Sequence, residues 1–146
     1  MTRIDFYILP EASDGAPANT VMTVCKLCDK AVNSGARVYV RAPQPQLVEE
    51  IDAALWTFRQ GGFIAHERDN GAILEDPQPA VLMGDGDPPA THQGVLLNLG
   101  DDVPLYFSRF DRVLEIVPGS AADRASSRVR YKFYRDRGYE LNTVNL

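Results

Sequence analysis

The run Gly94-Val95-Leu96-Leu97-Asn98-Leu99 is apolar at almost every position. A strand with one wet face alternates apolar and polar side chains. A strand covered on both faces does not need to. The run therefore predicts a strand between two layers, the place central strands hold in parallel α/β sheets. Arg112–Val117 (RVLEIV) reads as a second such strand downstream. Arg3–Leu9, rich in aromatic and branched residues, reads as the first strand of the chain.

Helical periodicity fills the intervals. From Asn19 or Thr20 as cap to about Ser34, Val21, Val24, Cys25, Cys28 and Val32 recur at helical spacing, and Gly35 follows as a C-cap glycine. Arg37–Arg41 (RVYVR) is a short strand. Gln46–Phe58 is a helix whose Leu47, Ile51, Ala54, Leu55 and Phe58 form one face. Phe63–His66 and Ala80–Met83 are short strands, and Pro104–Phe110 is a helical turn. Ser120 caps a last helix over Ala121–Arg137, ended by Gly138, with Tyr139–Leu146 as a tail. Strands separated by helices imply parallel connections. The fold expected is a single α/β domain over residues 1–146, a three-layer, Rossmann-like, open and mostly parallel sheet flanked by helices.

The chain has 146 residues, enough to bury a core without metal or disulfide. Composition is globular, at 45% hydrophobic and 24% charged residues. No apolar run approaches the roughly 20 residues of a membrane span. The opening Met1–Pro10 reads as a strand rather than a signal peptide, so a cytoplasmic compartment with reduced thiols is expected. Net charge is −5, which weighs against a protein that coats nucleic acid.

Motifs of catalysis are missing or out of context. The loop after the first strand, Pro10–Pro17, carries Glu11 and Asp14 and lacks both phosphate-binding glycine patterns. Cys25-Lys26-Leu27-Cys28 spells C-x-x-C, but it lies inside a helix on its apolar face. A redox pair would open the helix instead. The thiols are read as small buried hydrophobes. His66 and His92 stand in or beside the acid-rich stretch 67–93 and are read as solvated loop residues. No metal or cofactor is expected. An α/β enzyme with its site in that stretch stays open as an alternative.

The charge is unevenly spread. Ser120–Leu146 carries six basic residues against three acidic, while residues 1–119 carry nine against seventeen. At about 100° per residue, Ala122, Ala125, Val129 and Phe133 make the buried stripe of the last helix. Arg124, Arg128, Tyr131 and Arg135 fall opposite, with Lys132 beside them. Guanidiniums with an aromatic ring suit an acidic ligand bearing an apolar group. Single-stranded nucleic acid is the other ligand with that signature, and a solvated basic face that binds nothing stays equally open. Trp56 sits at the edge of its helix face, and Phe63 follows Gly61-Gly62. Spacing leaves core packing and an interface anchor equally open for both.

Seven blocks carry a family resemblance: RIDFY from Arg3, IDAALW from Ile51, FIAH from Phe63, VLLNLG from Val95, FSRFDRVLEIV from Phe107, RVRYKFYR from Arg128 and GYELNT from Gly138. With them the chain resembles the chi subunit family of bacterial DNA polymerase III. Position 65 is Ala where the family motif has Pro before His. The resemblance implies a Rossmann-like fold without catalytic activity. It implies binding of the acidic, Phe-ended C-terminal tail of single-stranded DNA-binding protein (SSB) through Val117, Arg124, Arg128, Tyr131 and Lys132. It also implies docking on the psi subunit of the clamp loader through Trp56 and Phe63, with DNA reached only through partners.

Overall fold

The computed structural model describes residues 1–10, 16–58, 64–69 and 78–146, with side chains in the first helix from Thr20 onward. Among the described residues seven strands form one sheet: β1 (Arg3–Ile8), β2 (Val38–Arg41), β3 (His66–Arg68), β4 (Val81–Gly84), β5 (Val95–Asn98), β6 (Arg112–Val117) and β7 (Glu140–Asn145). Their order is β3-β4-β2-β5-β6-β1-β7, and every pairing is parallel. Three described α-helices cross it: α1 (Ala16–Asn33), α2 (Pro45–Thr57) and α3 (Ala121–Asp136).

Handedness places the helices. The connections β1–α1–β2 and β2–α2–β3 move toward the β3 edge, while β6–α3–β7 moves toward the other. Right-handed crossovers in opposite directions put their helices on opposite faces. The cores confirm this. Val24, Cys25, Cys28, Ile51 and Leu55 of α1 and α2 pack on Tyr7, Val38, Val40, Val81, Met83, Leu97, Leu114 and Ile116. The alternate strand residues Ile4, Phe6, Tyr39, Leu82, Leu96, Val113 and Val117 pack with Tyr134 of α3 and with Tyr106, Phe107 and Phe110. Val95–Asn98 is buried at all four positions, as its nearly continuous apolar run requires.

Both glycine caps hold. Gly35 (φ 88°) and Gly138 (φ 80°) take the left-handed conformation. Each helix end closes with paired bonds: Ala36 N–H to Ala31 O and Gly35 N–H to Val32 O, then Tyr139 N–H to Tyr134 O and Gly138 N–H to Arg135 O. Ser120 caps α3 by accepting from the Asp123 N–H at 3.0 Å.

The structure corrects several expectations. α1 starts at Ala16, ahead of Asn19 and Thr20, with Pro17 in its first turn, where a missing N–H costs nothing. β3 is His66–Arg68 rather than Phe63–His66, and Phe63 lies outside the described residues. Tyr139–Leu146 is not a tail, because Glu140–Asn145 is an edge strand paired to β1. Its apolar residues, Leu141 and Val144, are three apart and join different cores, so period-2 alternation is lost.

The sheet-facing stripe of α3 is also rotated from the one expected. Ser127, Arg130 and Tyr134 are buried, whereas Ala122 and Ala125 are exposed and Val129 is 72% exposed. Phe133 is half-buried on the Phe107 ring. The cause is Glu115, fully buried in the middle of β6. A buried carboxylate must be paired, so the helix turns its polar residues inward to meet it.

Candidate protein-docking sites

Arg130 Nε lies 2.9 Å from Glu115 Oε1, Tyr134 donates to Oε2 at 2.6 Å, and the Asn98 amide reaches both oxygens at 3.1 and 3.0 Å. Burial pushes the Glu115 carboxyl up from its ordinary range, and these three donors oppose that shift. Arg41 extends the network, donating to Asn98 Oδ1 and to Asp102 Oδ1 at 2.8 Å. Its hydrogen bond and charge hold the Asp102 carboxyl below the usual range. This network fixes the rotation of α3, and with it the residues α3 presents outward. It also removes Arg130 from the basic residues available to a ligand.

The outward flank then reads as follows. Arg124 is half-buried, and its Nη2 donates to the Leu9 carbonyl at 3.1 Å just past β1. Its Nε is buried with no hydrogen-bond partner among the described residues. Tyr131 is half-buried, its ring 5.3 Å from the Phe6 ring of β1. Arg128, Lys132 and Arg135 are exposed, Arg135 with Asp136 at 3.4 Å. Val117 is fully buried at the end of β6, paired with Ile8 of β1. It offers no surface. Ile8 and Tyr131 are among the half-buried residues packed against the same cluster. The geometry therefore brings Arg124, Arg128, Tyr131 and Lys132 onto one flank and leaves Val117 beneath it. The sequence does not single out Ile8, because its exposure depends on β7, a strand the pattern does not reveal. Arrays of this kind bind carboxylates by charge-assisted hydrogen bonds beside an apolar contact.

The second candidate surface lies at the far end of the sheet. Trp56, in the last turn of α2, is 56% exposed. Its ring stands 5.0 Å from the His66 ring, at 66°. His66 is held on its other sides. Nδ1 is 2.6 Å from the Ile64 carbonyl, and Nε2 is 2.9 Å from Asp52 Oδ1, an ion-pair distance. Arg68 approaches the other Asp52 oxygen at 3.5 Å. The edge strand β3 and α2 thus present a braced, half-exposed indole.

The remaining candidates take structural places. His66 and His92 are buried, not solvated loop residues. His92 Nε2 faces the Pro79 carbonyl at 2.6 Å, and burial pushes its pKa down. Cys25 and Cys28 are buried and unpaired. Among the described residues no group of three or more His, Cys, Asp or Glu side chains could hold a metal ion. No described helix is long and apolar enough to cross a membrane. A cleft of about 240 Å³ opens at the carboxyl ends of β5 and β6, where open α/β sheets often hold ligands. Glu50, Asp101 and Asp123 line it, and Arg130, the one cation among its described lining residues, is engaged by Glu115. That lining does not suit a phosphate.

The fold and its surfaces thus define a parallel α/β protein whose outward features are a basic, aromatic helix flank and an exposed indole. The chain matches the family described as DNA polymerase III chi subunit, HolC, over residues 1–142, and it belongs to that family of replication accessory subunits. It is similar to the DNA polymerase III subunit chi of Pseudomonas aeruginosa, with 36% identity over 100% of this chain and 98% of that one. It is also similar to the subunits of that name from Haemophilus influenzae (28% identity, 97% and 95% covered) and Escherichia coli K12 (26%, 99% and 98%).

Proposed function

We propose that the protein is a non-catalytic, single-domain, cytoplasmic adaptor of the replicative polymerase. It binds the acidic C-terminal tail of SSB on the flank of α3 and links it to the clamp loader through the psi subunit. The observation that carries this reading is the alignment of Arg124, Arg128, Tyr131 and Lys132 on one side of α3, with the Tyr131 ring on Phe6. The cations take the carboxylates of the tail, and Tyr131 with Ile8 takes its terminal ring. Trp56 serves the second partner, together with Phe63 by family resemblance. The two surfaces stand at opposite ends of the strand order, so both partners fit at once. DNA is reached only through SSB.

Titration with a short acidic peptide ending in Phe tests the site. Arg128→Ala should weaken binding by about 1.5 kcal/mol or more, typical of a charge-assisted bond, and raised salt should weaken it further. Unchanged affinity would sink the assignment. Tight binding of a single-stranded oligonucleotide in place of the peptide would favour direct nucleic-acid recognition.

A further inference from the structure

β7 is the last strand in the sheet order, and β1 is its neighbour. Leu9 N–H bonds to the Val117 carbonyl of β6, whereas the Ile8 carbonyl accepts from Leu146 N–H at 2.9 Å. In a parallel ladder this sets the alternation. The N–H and C=O groups of Asn142 and Val144 turn to β1. Those of Leu141, Thr143 and Asn145 turn away from the sheet. The strand has no Pro, no Lys and one charge, Glu140, at its start. The usual protections of an exposed edge are therefore missing.

The contacts of α3 sweep across the sheet toward this edge. Ser126 reaches the Asp101 carbonyl beyond β5, and Arg130 and Tyr134 reach Glu115 of β6. Tyr131 and Arg124 reach Phe6 and Leu9 of the β1 segment. Next round the helix, about 20–40° further at 100° per residue, come Arg135 and Arg128, both exposed. They stand on the β7 side. A strand edge that no other described strand covers and a pair of guanidiniums thus share one margin of the molecule.

We infer that the β7 edge receives an acidic, extended protein segment as an eighth strand. Its main chain pairs with Leu141, Thr143 and Asn145, and its carboxylates meet Arg128 and Arg135. The inference rests on the docking role proposed for α3 and adds the binding mode. Main-chain bonds supply affinity and the cations select for acid. A basic segment is repelled, and a nucleic acid has no peptide ladder to offer.

The test titrates the intact protein with a short acidic Phe-ended peptide and with the same peptide methylated at alternate backbone nitrogens. Strand addition predicts a loss of about tenfold or more on methylation, since main-chain hydrogen bonds are removed. It predicts a similar loss for Thr143→Pro, which deletes an N–H that points away from β1. On the unaltered protein, hydrogen exchange should slow at the Thr143 and Asn145 amides when peptide is added. If the plain peptide binds while methylation, Thr143→Pro and exchange all leave no mark, strand addition is wrong and the α3 reading stands. If the plain peptide does not bind, the α3 reading itself fails. A concentration-dependent dimer abolished by Thr143→Pro overturns the inference in favour of a second copy of this chain as the occupant.

Discussion

Arg130 Nε and Glu115 Oε1 stand 2.9 Å apart, with 4% of the arginine side chain and none of the glutamate side chain exposed. The pair ties the middle of α3 to the centre of the sheet, so it decides which cations of the helix reach solvent. A buried pair of this kind adds little over well-packed apolar residues, but breaking it is costly.

Arg130→Met should therefore destabilise the fold by about 3–5 kcal/mol, because Glu115 loses its charged partner. Burial already raises the Glu115 carboxyl. For a raised acid, the favourable contribution is complete below the unfolded value, ordinarily about 4.5, and is lost as pH rises through the folded one. Without Arg130 the folded value rises further, so the destabilisation should be larger near neutral pH than near pH 4.5. Urea unfolding at the two pH values checks this. An equal loss at both would mean that Glu115 is not the group responsible.

This pair also explains how far the fold was legible in the sequence. Strands with nearly continuous apolar runs, such as Val95–Asn98, and helices closed by Gly35 and Gly138 declare themselves locally. The rotation of α3 does not. Arg130 and Tyr134 are inward because of Glu115, and that pairing crosses the β6–α3 turn. A hydrophobicity wheel ranks Val129 above Arg130 and turns the helix the wrong way. The basic flank is still legible, because Arg124, Arg128, Tyr131 and Lys132 are neighbours whichever stripe is buried. What the wheel could not supply was the floor, Ile8 and β7, which depends on strand pairing at long range.

Val117 and Tyr131 should respond differently. Val117→Ala leaves a small core void and should cost about 1–3 kcal/mol of stability. It should leave peptide affinity of the folded protein within about twofold, since Val117 shows no surface and so touches no ligand. Tyr131→Ala removes a half-exposed ring and should weaken the peptide severalfold or more. Calorimetric titration alongside thermal melting separates the two effects. A large affinity loss in folded Val117→Ala would show that the site opens down to β6.

Trp56→Ala changes an exposed ring, so the fold should lose less than about 1 kcal/mol. Peptide binding at α3 should be untouched, and capture of psi should fall by tenfold or more, the usual weight of an interface tryptophan. Co-purification with psi and peptide titration on the same sample read both surfaces. Retention of psi by a folded Trp56→Ala protein would move the second docking surface elsewhere.

The C-x-x-C pair offers a check on the non-redox reading. Burial pushes the Cys25 thiol up to about 11, and it pushes Cys28 higher still, with the Cys25 and Asp29 charges adding to the rise. A catalytic pair needs the opposite, a thiolate held low at a helix N-terminus. Here both thiols are packed among Val24, Ile51 and Leu55 in the core beneath α1 and α2. Ellman's reagent should therefore label neither in the native protein at mildly alkaline pH, and should label both at the rate of unfolding once urea is added. Serine at either position should weaken the fold while leaving peptide affinity alone. Rapid native labelling of one thiol would place it outside the core and reopen a redox role for the pair.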